Sequence, residues 1–161
     1  MKNILVILFL AFSIVEVSAQ TAPEQKPTSN VPKTSTAFPD QSFRMNYNKG
    51  LFDFSKKDYT TALTSFNQAI KEDPKFEPAY LGRANTLLRQ KDYRNAQEDY
   101  KTALKLDSTD EKAWYGLGQA QTRLGNDGQA IIAFTHVVKK NANNGDAWYC
   151  IGELQARINN Y

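Results

Sequence analysis

From Tyr59 onward, apolar and polar positions follow two periods at once. On the short period, Tyr59, Ala62, Leu63, Phe66, Ala69 and Ile70 recur three or four residues apart, which predicts one face of an α-helix. The same face returns as Tyr93, Ala96, Tyr100, Ala103 and Leu104, and again as Ala130, Ile131, Phe134, Val137 and Val138. A second set of helices is predicted between these, through Ala79, Tyr80, Ala84 and Leu87, then Ala113, Trp114, Leu117 and Gly118. Asp58, Asp92 and Asn126 precede the first set and are expected to cap its unpaired amides with their side chains. Asp73-Pro74 closes the first helix pair, since proline has no amide to continue it.

The long period is 34 residues. It joins Ala62, Ala96 and Ala130, then Phe66, Tyr100 and Phe134, then Ala79-Tyr80, Ala113-Trp114 and Ala147-Trp148. A fixed step of this size marks a stacked-repeat architecture, in which each unit buries its apolar face on its neighbours. The expected fold is all-α, an α-solenoid of antiparallel helix pairs. Small residues at Ala62, Ala96, Ala130, Gly118 and Gly152 are expected to let helices approach closely, while the three rings fill the spaces between layers.

These residues resemble the tetratricopeptide repeat. Trp114, Leu117, Gly118, Ala130 and Phe134 match its pattern, as do Trp148, Ile151 and Gly152, and Tyr59, Ala62, Phe66, Ala69 and Pro74. The resemblance implies a right-handed superhelix with repeats at 43–76, 77–110 and 111–144, and a capping helix at 145–161. Two departures stand out. Asn46, Lys49 and Asp53 occupy positions that the family makes apolar, so the apolar face of the first helix is read as Tyr47, Leu51 and Phe54, rotated by about one residue. Ser108 and Ala142 replace the closing proline in the later repeats.

The front of the chain differs in composition. Residues 1–19 read as a secretory signal peptide: Lys2, an apolar run from Ile4 to Val15 broken only by Ser13, and a Val17-Ser18-Ala19 cleavage site. That run falls short of the roughly 20 residues needed to span a bilayer, so no transmembrane helix is expected in the mature chain. Residues 20–42, with Pro23, Pro27, Pro32 and Pro39 among Thr, Ser, Gln and Lys, read as a flexible linker. An exported protein is expected, in the periplasm or outside the cell, and the leader has the look of a bacterial envelope protein.

A net charge of +3 is too small for the basic stripe of a nucleic-acid binder. Catalysis, metal binding and a cofactor are not expected. His136 and Cys150 are the only residues of their kinds and lie on different helices, and no phosphate loop or nucleophile elbow is present. His136 reads as a partly exposed helix residue, and Glu98-Asp99 as a solvated polar face. Cys150 reads as a small sheltered hydrophobe.

The resemblance implies that the first helix of each repeat lines a concave groove. At one repeat position stand Ser55, Arg89, Arg123 and Arg157, a candidate cationic row. At another stand Tyr47, Leu81, Tyr115 and Tyr149, and Arg44, Asn48, Asn85, Lys112 and Gln119 add donors. Arginine pairs with carboxylates through two parallel bonds, and both arginine and tyrosine are frequent binding anchors. The groove is therefore expected to take a protein or peptide segment, with acidic residues or a terminal carboxylate as its preferred chemistry. Two alternatives are self-association through unpaired ends, and binding of an anionic envelope glycan. The family's clamp for chaperone tails does not fit: its positions hold Tyr47, Leu51, Gly82, Lys112 and Gly116, and only Lys112 suits it.

Overall fold

The computed structural model describes residues 41–160. The signal-peptide and linker expectations fall on residues 1–40, outside the described part. Among the described residues seven helices follow one another: α1 Ser42–Ser55, α2 Tyr59–Glu72, α3 Glu77–Arg89, α4 Tyr93–Leu106, α5 Glu111–Arg123, α6 Asp127–Lys140 and α7 Gly145–Asn159. Each helix packs on the next, and α1 on α3 and α3 on α5 also touch, so the odd helices form one layer of a stack of helix pairs.

The turns repeat as faithfully as the helices. Lys57, Lys91 and Gly125 all take positive φ, at 63°, 66° and 76°. Each ends its helix with a pair of reverse bonds: the Asp58 amide to the Asp53 carbonyl, Asp92 to Leu87 and Asn126 to Gln121 close the outer rings. Glycine adopts this backbone without strain; the two lysines adopt it at a cost. Asp58 and Asp92 then cap α2 and α4 by accepting from the amides of Thr61 and Asn95. Asn126 occupies the same place but its side chain makes no capping bond, contrary to expectation. The two aspartates gain a second bond from the side chains of Thr61 and Asn95, whereas Asn126 brings only a neutral amide opposite Gln129.

Closing proline is dispensable because another device recurs. Asp73, Asp107 and Asn141 each accept from the amide two residues on. Tyr80, Trp114 and Trp148 then donate from their ring ends to the carbonyls of Pro74, Ser108 and Ala142.

Ala62, Ala96 and Ala130 are fully buried, and Phe66, Tyr100 and Phe134 fill the spaces beside them. A methyl group added at Gly50 or Gly82 would come within 2.6 Å of the Phe66 ring, and one at Gly118 within 2.8 Å of Phe134. Gly152 departs from expectation: nothing lies within 4 Å of its position and it is exposed. Among the described residues no helix follows α7 to press a ring against it.

The first helix also corrects the sequence reading. It is not rotated: Gly50 faces Phe66 as its register requires, and Leu51 is exposed. The polar residues at the positions the family makes apolar are satisfied locally, Asn46 and Asp53 partly buried and Lys49 exposed. Asn46 donates to the Glu72 carboxylate at 2.9 Å, and Lys49 reaches both Asp53 and Ser65, at 2.8 and 3.3 Å. Asp99 is likewise buried, not solvated. It takes two bonds from Arg83 at 2.6 and 2.7 Å, while Arg83 also donates to Asn67. Glu98 does lie in solvent, paired with Lys101.

Candidate functional site

Helices α3, α5 and α7 share the inner layer, so residues at matching repeat positions on them converge. Asn85, Lys112, Tyr115 and Gln119, singled out from the sequence, line one cavity of about 380 Å³. Gly116, Glu111, Asn144 and Asp146 complete its wall. Asn85 is held by the Tyr100 hydroxyl, which donates to its amide oxygen at 2.6 Å. Tyr115 is fixed by an edge contact with Phe134, ring centres 5.4 Å apart. Burial first, then the nearby Cys150 and Asp146, raise the Tyr115 hydroxyl above its ordinary value, so it stays protonated and can donate.

A larger hollow of about 650 Å³ lies along α5 and α7, lined by Thr122, Cys150, Glu153, Leu154, Ala156, Arg157 and Asn160. Cys150 is half-buried against the apolar cluster of α6 and α7, and burial raises its thiol above the usual value.

Of the remaining sequence candidates only Arg157 lines either cavity. Arg89 and Arg123 are exposed near the ends of α3 and α5, and neither lines either cavity. Arg157 is not available as the third member of a cationic row. Its guanidinium makes two parallel bonds to Asp127 of α6, at 2.5 and 2.6 Å. Tyr47 is half-buried between Phe66 and Phe76, so it serves packing. Arg44 and Asn48 are exposed on α1, Arg44 beside the Phe43 ring. Tyr149 is exposed, with its hydroxyl engaged by Glu153, the main reason it is shifted upward. His136 lies flat on Trp114, centres 3.9 Å apart and planes within 4°.

Sequence reasoning passed over Glu111, Asp146 and Glu153. The signal was present, since Asp146 and Glu153 stand one repeat beyond Lys112 and Gln119. With them the lining carries both signs of charge, not a uniform positive one.

The structure also gives a physical reason why chaperone-clamp residues are missing. Side chains at Gly82 and Gly116 would run into the Phe66 and Tyr100 rings, so neither position admits the longer polar residue a clamp needs.

Tetratricopeptide repeat family models match residues 43–76 and 81–144. The chain belongs to the tetratricopeptide repeat family. Solved tetratricopeptide structures share the fold. The first such domain of Spaghetti (RPAP3), bound to the HSP90 peptide SRMEEVD, is 22% identical with a TM-score of 0.72, covering 73% of this chain and 94% of that one. The TPR2B domain of yeast Sti1 in complex with pHsp70 is 18% identical, TM-score 0.68, covering 73% and 98%. The MamA protein is 24% identical, TM-score 0.70, covering 73% and 64%. No curated protein sequence matches the chain. At these identities the likeness is one of tetratricopeptide fold. Among the described residues no helix is long and apolar enough to cross a membrane.

Proposed function

We propose that this tetratricopeptide chain is a non-catalytic scaffold or adaptor that holds an extended segment of a partner protein in its concave groove. The convergence of Asn85, Lys112, Tyr115 and Gln119 on one cavity carries the reading. Amide and ammonium donors, a phenol and two carboxylates in one open place suit a peptide, with its amides and mixed charges, better than a small charged metabolite. Neighbours of the same fold, one bound to an HSP90 peptide and one in complex with pHsp70, support it. Acidic residues of the segment meet Lys112, Arg89 and Arg123, while its amides and basic groups meet Asp146 and Glu153.

A displayed peptide library selected on the wild-type chain tests this, whatever the natural partner is. Selected peptides should compete with one another and bind the Lys112→Glu, Tyr115→Ala variant at least about tenfold more weakly, the loss of one good anchor. Peptides that bind the variant unimpaired would remove the groove from the account.

The leader supports a place for this scaffold outside the cytoplasm, in the cell envelope. Mass spectrometry of the secreted chain should find Gln20 at its N-terminus.

A further inference from the structure

The two ends of the stack are unlike each other, and their shapes are complementary. In α3, α5 and α7 the third and tenth repeat positions are buried against the helix before them, as with Ala113 and Ala120 beside Tyr100, or Ala147 and Leu154 beside Phe134. On α1 these same positions hold Met45 and Phe52, which are large and stand 68% and 57% exposed. At the other end the roles reverse. In the third repeat, α6 covers α5 by laying His136 on Trp114 and pressing Phe134 on Gly118. The matching pair on α7 is Trp148, 53% exposed, and Gly152, with open space above it. One end offers an apolar knob and the other a socket already shaped, by the repeat, for a ring.

We propose that a second copy of this chain fills the socket, its α1 lying antiparallel on α7 with Phe52 over Gly152. Helix spacing then sets the rest. Met45, two turns back along α1, falls level with the last turn of α7, where Ile158 is 45% exposed. Lys56, one turn ahead, comes beside Trp148, and Lys57 follows toward Asp146 at the start of α7. Lys56 already sits 4.1 Å over the Phe52 ring, so it enters the contact with the knob. Lys56 and Lys57, just past the end of α1, thus meet Asp146 in the first turn of α7, and this charge match favours a second copy over an unrelated apolar helix. Because knob and socket lie at opposite ends, the contact is head-to-tail and does not close at two copies. This association shares only Asp146 with the groove reading, and either can fail alone.

Sedimentation velocity of the full chain from low to high micromolar concentration tests it. The weight-average mass should rise past twice the monomer without a plateau. Phe52→Asp and Gly152→Leu should each stay monomeric, with Trp148→Ser as a second socket variant. Helical circular dichroism should be unchanged, since all three positions are exposed. Mixing the Phe52→Asp and Gly152→Leu chains should restore a dimer that grows no further, because one retains the socket and the other the knob. A wild-type chain that is monomeric throughout would overturn the proposal. So would Phe52→Asp chains that still associate, which would mean α7 pairs with itself, or mixed variants that fail to pair.

Discussion

The second and third repeats share one backbone plan and fill it with opposite chemistry. Between α3 and α4 stands the Arg83–Asp99 ion pair; the same two positions between α5 and α6 hold Leu117 and Ala133. At the start of α3, Glu77 faces Asp107 and Asp110, and its Oε1 is buried without a donor. At the start of α5, Glu111 accepts from Asn141 and Asn144, the matching residues one repeat later. The turn residue is Lys91 in one and Gly125 in the other. The repeat fixes where a side chain stands; its partners across the interface decide whether that place is comfortable.

Copying the third repeat into the second should therefore have sizeable and signed effects. Asp99→Ala alone leaves Arg83 partly buried and unpaired, and should lower stability to urea by about 2–4 kcal/mol. Adding Arg83→Leu, which reproduces the third repeat, should restore most of it. An unaffected single variant would show that the pair contributes nothing. Next in size is Gly116→Cys, which brings into the third repeat the residue that α7 carries at the same position, Cys150. Cys150 has room there, but at 116 the Tyr100 ring blocks the added atoms, so a loss of about 1–3 kcal/mol is expected by the same measurement.

The acidic cluster gives a smaller effect that depends on pH. Burial first, then Asp110 and Asp107, carry Glu77 from 4.5 up to about 7. Below 4.5 the folded and unfolded chains both hold this proton. Between 4.5 and about 7 unfolding releases it, so stability falls as pH rises through that window and stays lower above it. Asp110→Asn, as in the third repeat, still caps α5 and supplies a donor. The melting temperature of this variant should fall less steeply with pH through that window, burial and Asp107 keeping part of the slope, and an unchanged slope would locate the proton elsewhere. Smallest is Lys91→Gly, which should relieve the positive-φ turn and gain about 0.5–1 kcal/mol. A loss instead would mean that the lysine side chain contributes a contact.

Period alone carried much of this structure. The Ala62, Ala96, Ala130 column and its ring column are local facts of spacing, so the helices and their buried faces were legible in the sequence. The cavity was legible only through the tetratricopeptide resemblance, which carried the groove positions onto Asn85, Lys112, Tyr115 and Gln119. What spacing could not supply was the partner across an interface. Asp127 takes Arg157 out of the proposed row from thirty residues away, and Arg83 draws Asp99 into the core. Gly152 carries the family's packing signature without a ring to use it, and Lys49, at a position the family makes apolar, stays largely exposed and is received by Asp53 and Ser65.

Binding within the groove is tested most directly by photocrosslinking from two exposed positions, Gln119 in the cavity and Ile132 on α6 outside it. With a library-selected peptide, the probe at Gln119 should form an adduct that competing peptide removes, and the probe at Ile132 should form none. Adducts from Ile132 alone, or equally from both, would contradict the account.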